Sequence, residues 1–83
     1  MTFTEKNNEL RKRVTEARAA WNPGESTEEY SKLLLTLEFV VQLTTRMQVI
    51  VNNFTTENDK EQCEKLSVLL LERDRLINKV IDA

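Results

Sequence analysis

The sequence predicts an all-α fold, a three-helix antiparallel bundle with coiled-coil-like seams. Two observations lead there. Pro23 and Gly24 are the sole proline and glycine among 83 residues, too few turn-formers for a sheet-rich chain. Apolar residues recur at alternating steps of three and four in three successive stretches, which is the period of a packed helix rather than of a strand. The spacing gives helices over about 3–21, 27–53 and 57–82 of one domain. A domain this small buries only about 60% of the surface its unfolded chain exposes, so a second copy or a partner would add to a slim margin of stability.

In the first helix, Thr2 followed by Glu5 has the spacing of a capping box, with Thr4 as a rival cap. Phe3, Asn7, Leu10, Val14, Ala17 and Trp21 form a narrow seam, and Trp21 is expected as a core anchor near the helix end, or else as a binding hot spot beside the loop. Asn7 interrupts that seam, where fraying near the terminus accounts for a polar residue. Asn22-Pro23-Gly24-Glu25 then breaks the helix, because proline lacks a donor and glycine accepts backbone angles that other residues avoid.

Ser26 is expected to cap the second helix, with Glu29 reaching back. Its seam is Tyr30, Leu33, Leu37, Val40, Thr44, Met47, Val51 and Phe54, widened by Leu34 and Val41 on one side and by Leu43 and Ile50 on the other. The Thr44 hydroxyl can satisfy itself on the preceding turn. A weaker break follows at Asn52-Asn53-Phe54-Thr55-Thr56, with Thr55 or Thr56 as the next cap; a continuous rod is the competing reading. The third helix carries Cys63, Leu66, Leu69, Leu70, Leu76, Ile77 and Val80. Arg73 sits mid-stripe, its stem covering apolar surface and its guanidinium reaching water or a carboxylate such as Glu38.

The net charge of −2 is interspersed and gives no field that selects nucleic acid or an anionic membrane. Residues 1–21 are mildly basic at +2, and residues 22–55 and 56–83 carry −2 each. Cys63 is the single cysteine and makes no intrachain disulfide, which fits a reducing compartment. Glu5, Lys6, Glu9 and Arg11 interrupt any apolar leader near the start, so the expected location is cytoplasmic.

Chemistry has little to work with. The chain has no histidine, the commonest general base and metal ligand, and one Cys and one Gly cannot build a metal cluster or a phosphate loop. No catalytic, cofactor-binding or metal-ligating residue is expected, and the chain reads as not an enzyme. The carboxylate pairs Glu28 with Glu29 and Glu57 with Glu61 read as solvated faces. Cys63 reads as a small buried apolar residue, or as a reactive thiol if Lys60 lies beside it. Arg11, Lys12, Arg13 and Arg18, near Trp21, are the one patch that suggests nucleic acid, but Glu9 and Glu16 interleave with them.

Glu64 to Val80, EKLSVLLLERDRLINKV, runs from a leucine-rich turn into an E-R-x-x-L-I pattern carried by Glu72, Arg73, Leu76 and Ile77. That stretch, about a quarter of the chain, resembles the closing helix of small flagellar and type III secretion chaperones of the FliT kind. The resemblance implies a cytosolic helical protein that masks an amphipathic helix of an export substrate.

Leu35, Phe39, Val49, Val68 and Leu71 are apolar yet stand outside the central seams, which makes them the candidate protein-interaction residues. The expected role is therefore non-catalytic protein binding by a small chaperone or adaptor. It would accept a partner's amphipathic helix or self-associate as a homodimer, with no cofactor and no membrane. Two alternatives stand beside it. One is a phage or mobile-element inhibitor that blocks a host protein or nucleic-acid complex. The other is a weak nucleic-acid binder using Arg11, Lys12, Arg13 and Arg18.

Overall fold

The computed structural model describes residues 1–82 and holds three α-helices: α1 (Phe3–Ala20), α2 (Glu28–Asn52) and α3 (Asp59–Ile81). They pack against one another as an all-α three-helix bundle, with α2 and α3 forming the most extensive pair. Phe3 of α1 meets Arg73 of α3 and Arg13 meets Val80, so α1 and α3 run in the same direction while α2 runs back between them.

α1 begins where the sequence places it. The Glu5 amide donates to Thr2 Oγ1 at 3.2 Å, and the Glu5 carboxylate accepts from the Thr2 amide at 3.3 Å, so both halves of the capping box are present. The Thr2 amide foremost, and the Thr2 hydroxyl that donates to the same carboxylate at 3.0 Å, hold the Glu5 carboxyl below its ordinary range. A depressed folded-state pKa contributes stability above the unfolded value that is lost as pH falls through the folded one. The first turn of α1 is therefore expected to fray in acid. At neutral pH, Thr2→Ala is expected to cost about 1 kcal/mol; faster amide exchange confined to the first turn of α1 is the check.

The first connection is a tight turn. The Glu25 amide donates to the Asn22 carbonyl at 3.1 Å, with Pro23 and Gly24 at the two central positions. Gly24 has φ +94, the left-handed angle that the third residue of a type II turn requires. α2 starts one residue later than a Ser26 cap would have it. Thr27 is the N-cap and makes no side-chain capping bond, and Ser26 Oγ instead accepts from the Glu28 amide at 3.2 Å.

The second break is real, which removes the continuous rod. Asn58, rather than Thr55 or Thr56, precedes α3, and its side chain closes the loop on itself. Asn58 Oδ1 accepts from the Thr55 amide at 2.9 Å, and its Nδ2 donates to the Asn53 carbonyl at 3.2 Å. α3 accordingly begins at Asp59, two residues beyond the expected start.

Leu10, Val40 and Ile77, one from each helix, make the buried cluster, and Phe3, Leu33, Leu37, Val80 and Ile81 pack against it. Leu43 is buried as well. The cluster is small because the helices are offset along their length. The Cα envelope measures 56 × 22 × 15 Å and the radius of gyration is 15.8 Å, against about 12 Å for a compact chain of this size. α2 spans only about 37 Å, so the molecule is longer than any of its helices. α1 begins level with Thr44 and Arg73, since Phe3 stacks under Arg73, whose Nη1 donates to Thr44 Oγ1 at 3.3 Å. Residues 45–72 beyond that level form an α2–α3 hairpin that α1 does not cover.

That offset corrects several expectations. Val51 and Phe54 continue the α2 seam but lie exposed, as does Cys63 on α3, because the helix that would cover them stops short. Trp21 is not a core anchor. It follows the last turn of α1, lies exposed, and donates from Nε1 to the Glu25 carbonyl at 3.1 Å, so it fastens the turn rather than the core. Asn7 sits inside α1 rather than in a frayed end, with its side-chain carbonyl buried and without a partner.

Candidate protein-interaction surface

All five off-seam apolar residues are exposed: Leu35 and Phe39 on the first half of α2, Val49 near its end, and Val68 and Leu71 on α3. They fall into three groups. Val49 and Val68 flank the place where Ile50 of α2 meets Leu69 of α3, and each lines a shallow, almost wholly apolar depression there. Thr45 and Arg46 edge the Val49 side, and Glu64 and Lys65 edge the Val68 side. Leu35 and Phe39, four residues apart, share a strip of α2 that continues through Arg46 at helical spacing on the side of the hairpin away from α1. Leu71 stands apart, pointing outward from α3, and is 66% exposed.

The sequence did not single out Val41, Val51, Phe54 or Leu70, which are also exposed. The seam pattern marks them for burial; the end of α1 at the level of Thr44 leaves Val51, Phe54 and Leu70 bare, whereas Val41, inside the covered stretch, lies at the margin of the seam. The shorter first helix was the available signal, at 18 residues against 25 in α2.

The four bases of α1 do not share a face. Successive residues turn by about 100°, so Arg11 and Arg13 point to opposite sides. Arg13 is turned into the fold, donating from Nη1 to the Val80 carbonyl at 2.9 Å and from Nε to Glu9 at 3.2 Å. Lys12 pairs with Glu16 at 3.9 Å, and Arg11 and Arg18 remain as two bases seven residues apart. A wider cleft of about 540 Å³ opens beside the first turn, walled by Trp21 and Tyr30, and its charged rim holds three acids, Glu16, Glu25 and Glu29, against Arg13. That sign is wrong for phosphate.

Arg73 does not reach Glu38. Its guanidinium lies 3.6 Å from the Phe3 ring centroid and bonds Thr44, whose hydroxyl in turn donates to the Val40 carbonyl at 2.8 Å. Lys6 ties the other flank of α1 to α3 through Asn78 and Asp82. The polar side chains near α1 thus hold the helices together. Among the described residues no three His, Cys, Asp or Glu side chains converge. Of the residues that carry the chaperone-like pattern, Arg73, Leu76 and Ile77 face inward and Glu72 is exposed, so the pattern coincides with bundle packing.

α2 is long and apolar enough to cross a membrane by length and composition, with a window of mean hydropathy 1.3. Glu38 and Arg46 lie within the helix, however, where charge is costly in hydrocarbon, and Leu33, Leu37 and Val40 of its seam pack in the bundle core while most of the apolar window is left unburied. No family model, curated protein or solved structure matches this chain.

Proposed function

We propose that this protein is a non-catalytic protein-interaction module that offers the α2–α3 hairpin, on the side away from α1, to another helix. The observation that supports this reading is the bare hairpin itself. Val49 and Val68 are exposed apolar side chains around the Ile50–Leu69 contact, with charged residues at its edge, and Leu35 and Phe39 extend the exposed apolar strip along α2 toward its start. An amphipathic helix lays its apolar stripe into such a groove through anchors three and four residues apart. Apolar side chains at several levels of one surface go beyond the single scattered hydrophobes of an ordinary monomer.

The test is a triple variant, Phe39→Asp, Val49→Asp and Val68→Asp. All three positions are exposed, so helicity is expected to stay close to that of the parent, with thermal unfolding lowered only by what the lost association contributed. Association is expected to be lost, measured both as solution mass and as recovery of bound protein from native lysate. A parent chain that is monomeric and recovers nothing beyond what the variant recovers would end this reading.

A further inference from the structure

We infer that the partner of α3 is a second copy of this chain, with the two α3 helices packed antiparallel across a two-fold axis between Leu69 and Leu70. This rests on the interaction-module reading and names the occupant. Glu64, Val68, Leu71 and Arg75 recur at steps of four, three and four, which places them in one stripe of the helix. The stripe points away from the core residues Ile77 and Val80 and is exposed along its length, with Val68 and Leu71 63% and 66% exposed. Its order is acid, apolar, apolar, base.

That order is complementary to its own reverse. In an antiparallel pair centred between residues 69 and 70, Val68 meets Leu71 of the second copy and Leu71 meets Val68. Glu64 meets Arg75 of the second copy, and Arg75 meets Glu64. A two-fold axis repeats each contact, so one stripe supplies two apolar contacts and two ion pairs. A parallel pair would set Glu64 against Glu64 and Arg75 against Arg75, which is unfavourable. Both charges are free for this role, because the ion pairs among the described residues are Lys6–Asp82, Lys12–Glu16, Arg13–Glu9, Lys32–Glu28 and Lys65–Glu61. α1 leaves the stripe open, since it meets α3 through Arg73, Asn78, Val80 and Asp82.

Sedimentation equilibrium of the full chain tests this directly. The parent is expected to approach twice its monomer mass of 9.7 kDa as concentration rises. Leu71→Asp, Glu64→Arg and Arg75→Glu are each expected to weaken that self-association by about tenfold or more, with unchanged far-UV circular dichroism. The combined Glu64→Arg and Arg75→Glu variant is expected to regain it, and mixing the two single charge variants is expected to give a heterodimer. A strictly monomeric parent, or a dimer indifferent to the charge reversals, overturns the α3 pairing. If the parent is monomeric while the Phe39, Val49 and Val68 variant still loses a bound protein, the pairing fails and the interaction-module reading stands. If neither self-association nor partner recovery occurs, both fail.

Discussion

Replacing Ile77 with Ala is expected to remove about 3 kcal/mol of unfolding free energy, the usual loss when a sealed aliphatic side chain is cut back to Cβ. Ile77 is 1% exposed and closes the cluster with Leu10 and Val40, so it has no solvent-facing atoms to spare. The loss is a large share of the whole, because a chain of this length carries roughly 4–12 kcal/mol in total. Two structural facts make it hard to absorb. All three helices overlap only over the segment of α3 from about Arg73 to Ile81, and Ile77 stands at its middle. The hairpin beyond that level has two helices only, so it cannot replace what the cluster loses. Thermal unfolding followed by circular dichroism is expected to shift down by about 12–24 °C. Val68→Ala, on the exposed stripe, is expected to change stability by no more than about 0.5 kcal/mol. Equal shifts for the two variants would show that the Leu10–Val40–Ile77 cluster does not hold the bundle.

What the sequence made legible was whatever is decided within a few residues. The Thr2–Glu5 box and the Pro23-Gly24 turn form from neighbours and appear as expected. The outward direction of Leu35, Phe39, Val49, Val68 and Leu71 also follows from helical period alone. Period states which side of a helix seeks cover but not how far its neighbour extends. Val51 keeps step with Val40 and Thr44 and is nevertheless bare, because α1 begins at the level of Thr44. Cys63 fails as a buried residue for the same reason, and Trp21 because the chain leaves the helix before its ring can turn inward. The ligands of Arg73 were beyond local reading, since Phe3 and Thr44 are distant in sequence and only the tertiary fold brings them together.

Phe3→Ala is expected to be nearly as damaging as the core truncation, at about 2–3 kcal/mol, although Phe3 is only partly buried. The ring does two things at once. It packs on the Leu10–Val40–Ile77 cluster, and its face covers the Arg73 guanidinium at 3.6 Å. With the ring gone, the guanidinium retains one bond to Thr44, while its Nε–H is already buried without a partner. Arg73→Met should behave differently. Methionine keeps an unbranched stem against the cluster and removes both the charge and the orphaned donor. Loss of the ring contact, worth about 0.5–2 kcal/mol, is then offset by relief of the unsatisfied donor, worth about 1–3 kcal/mol. The variant is therefore expected to lie within about 1 kcal/mol of the parent. Combined with Phe3→Ala it is expected to cost less than the two changes added, because the second no longer strands a charge. Urea unfolding of the parent, both single variants and the double variant supplies the cycle. Strict additivity, or an Arg73→Met loss as large as that of Phe3→Ala, would mean that the guanidinium is held by something other than the ring of Phe3.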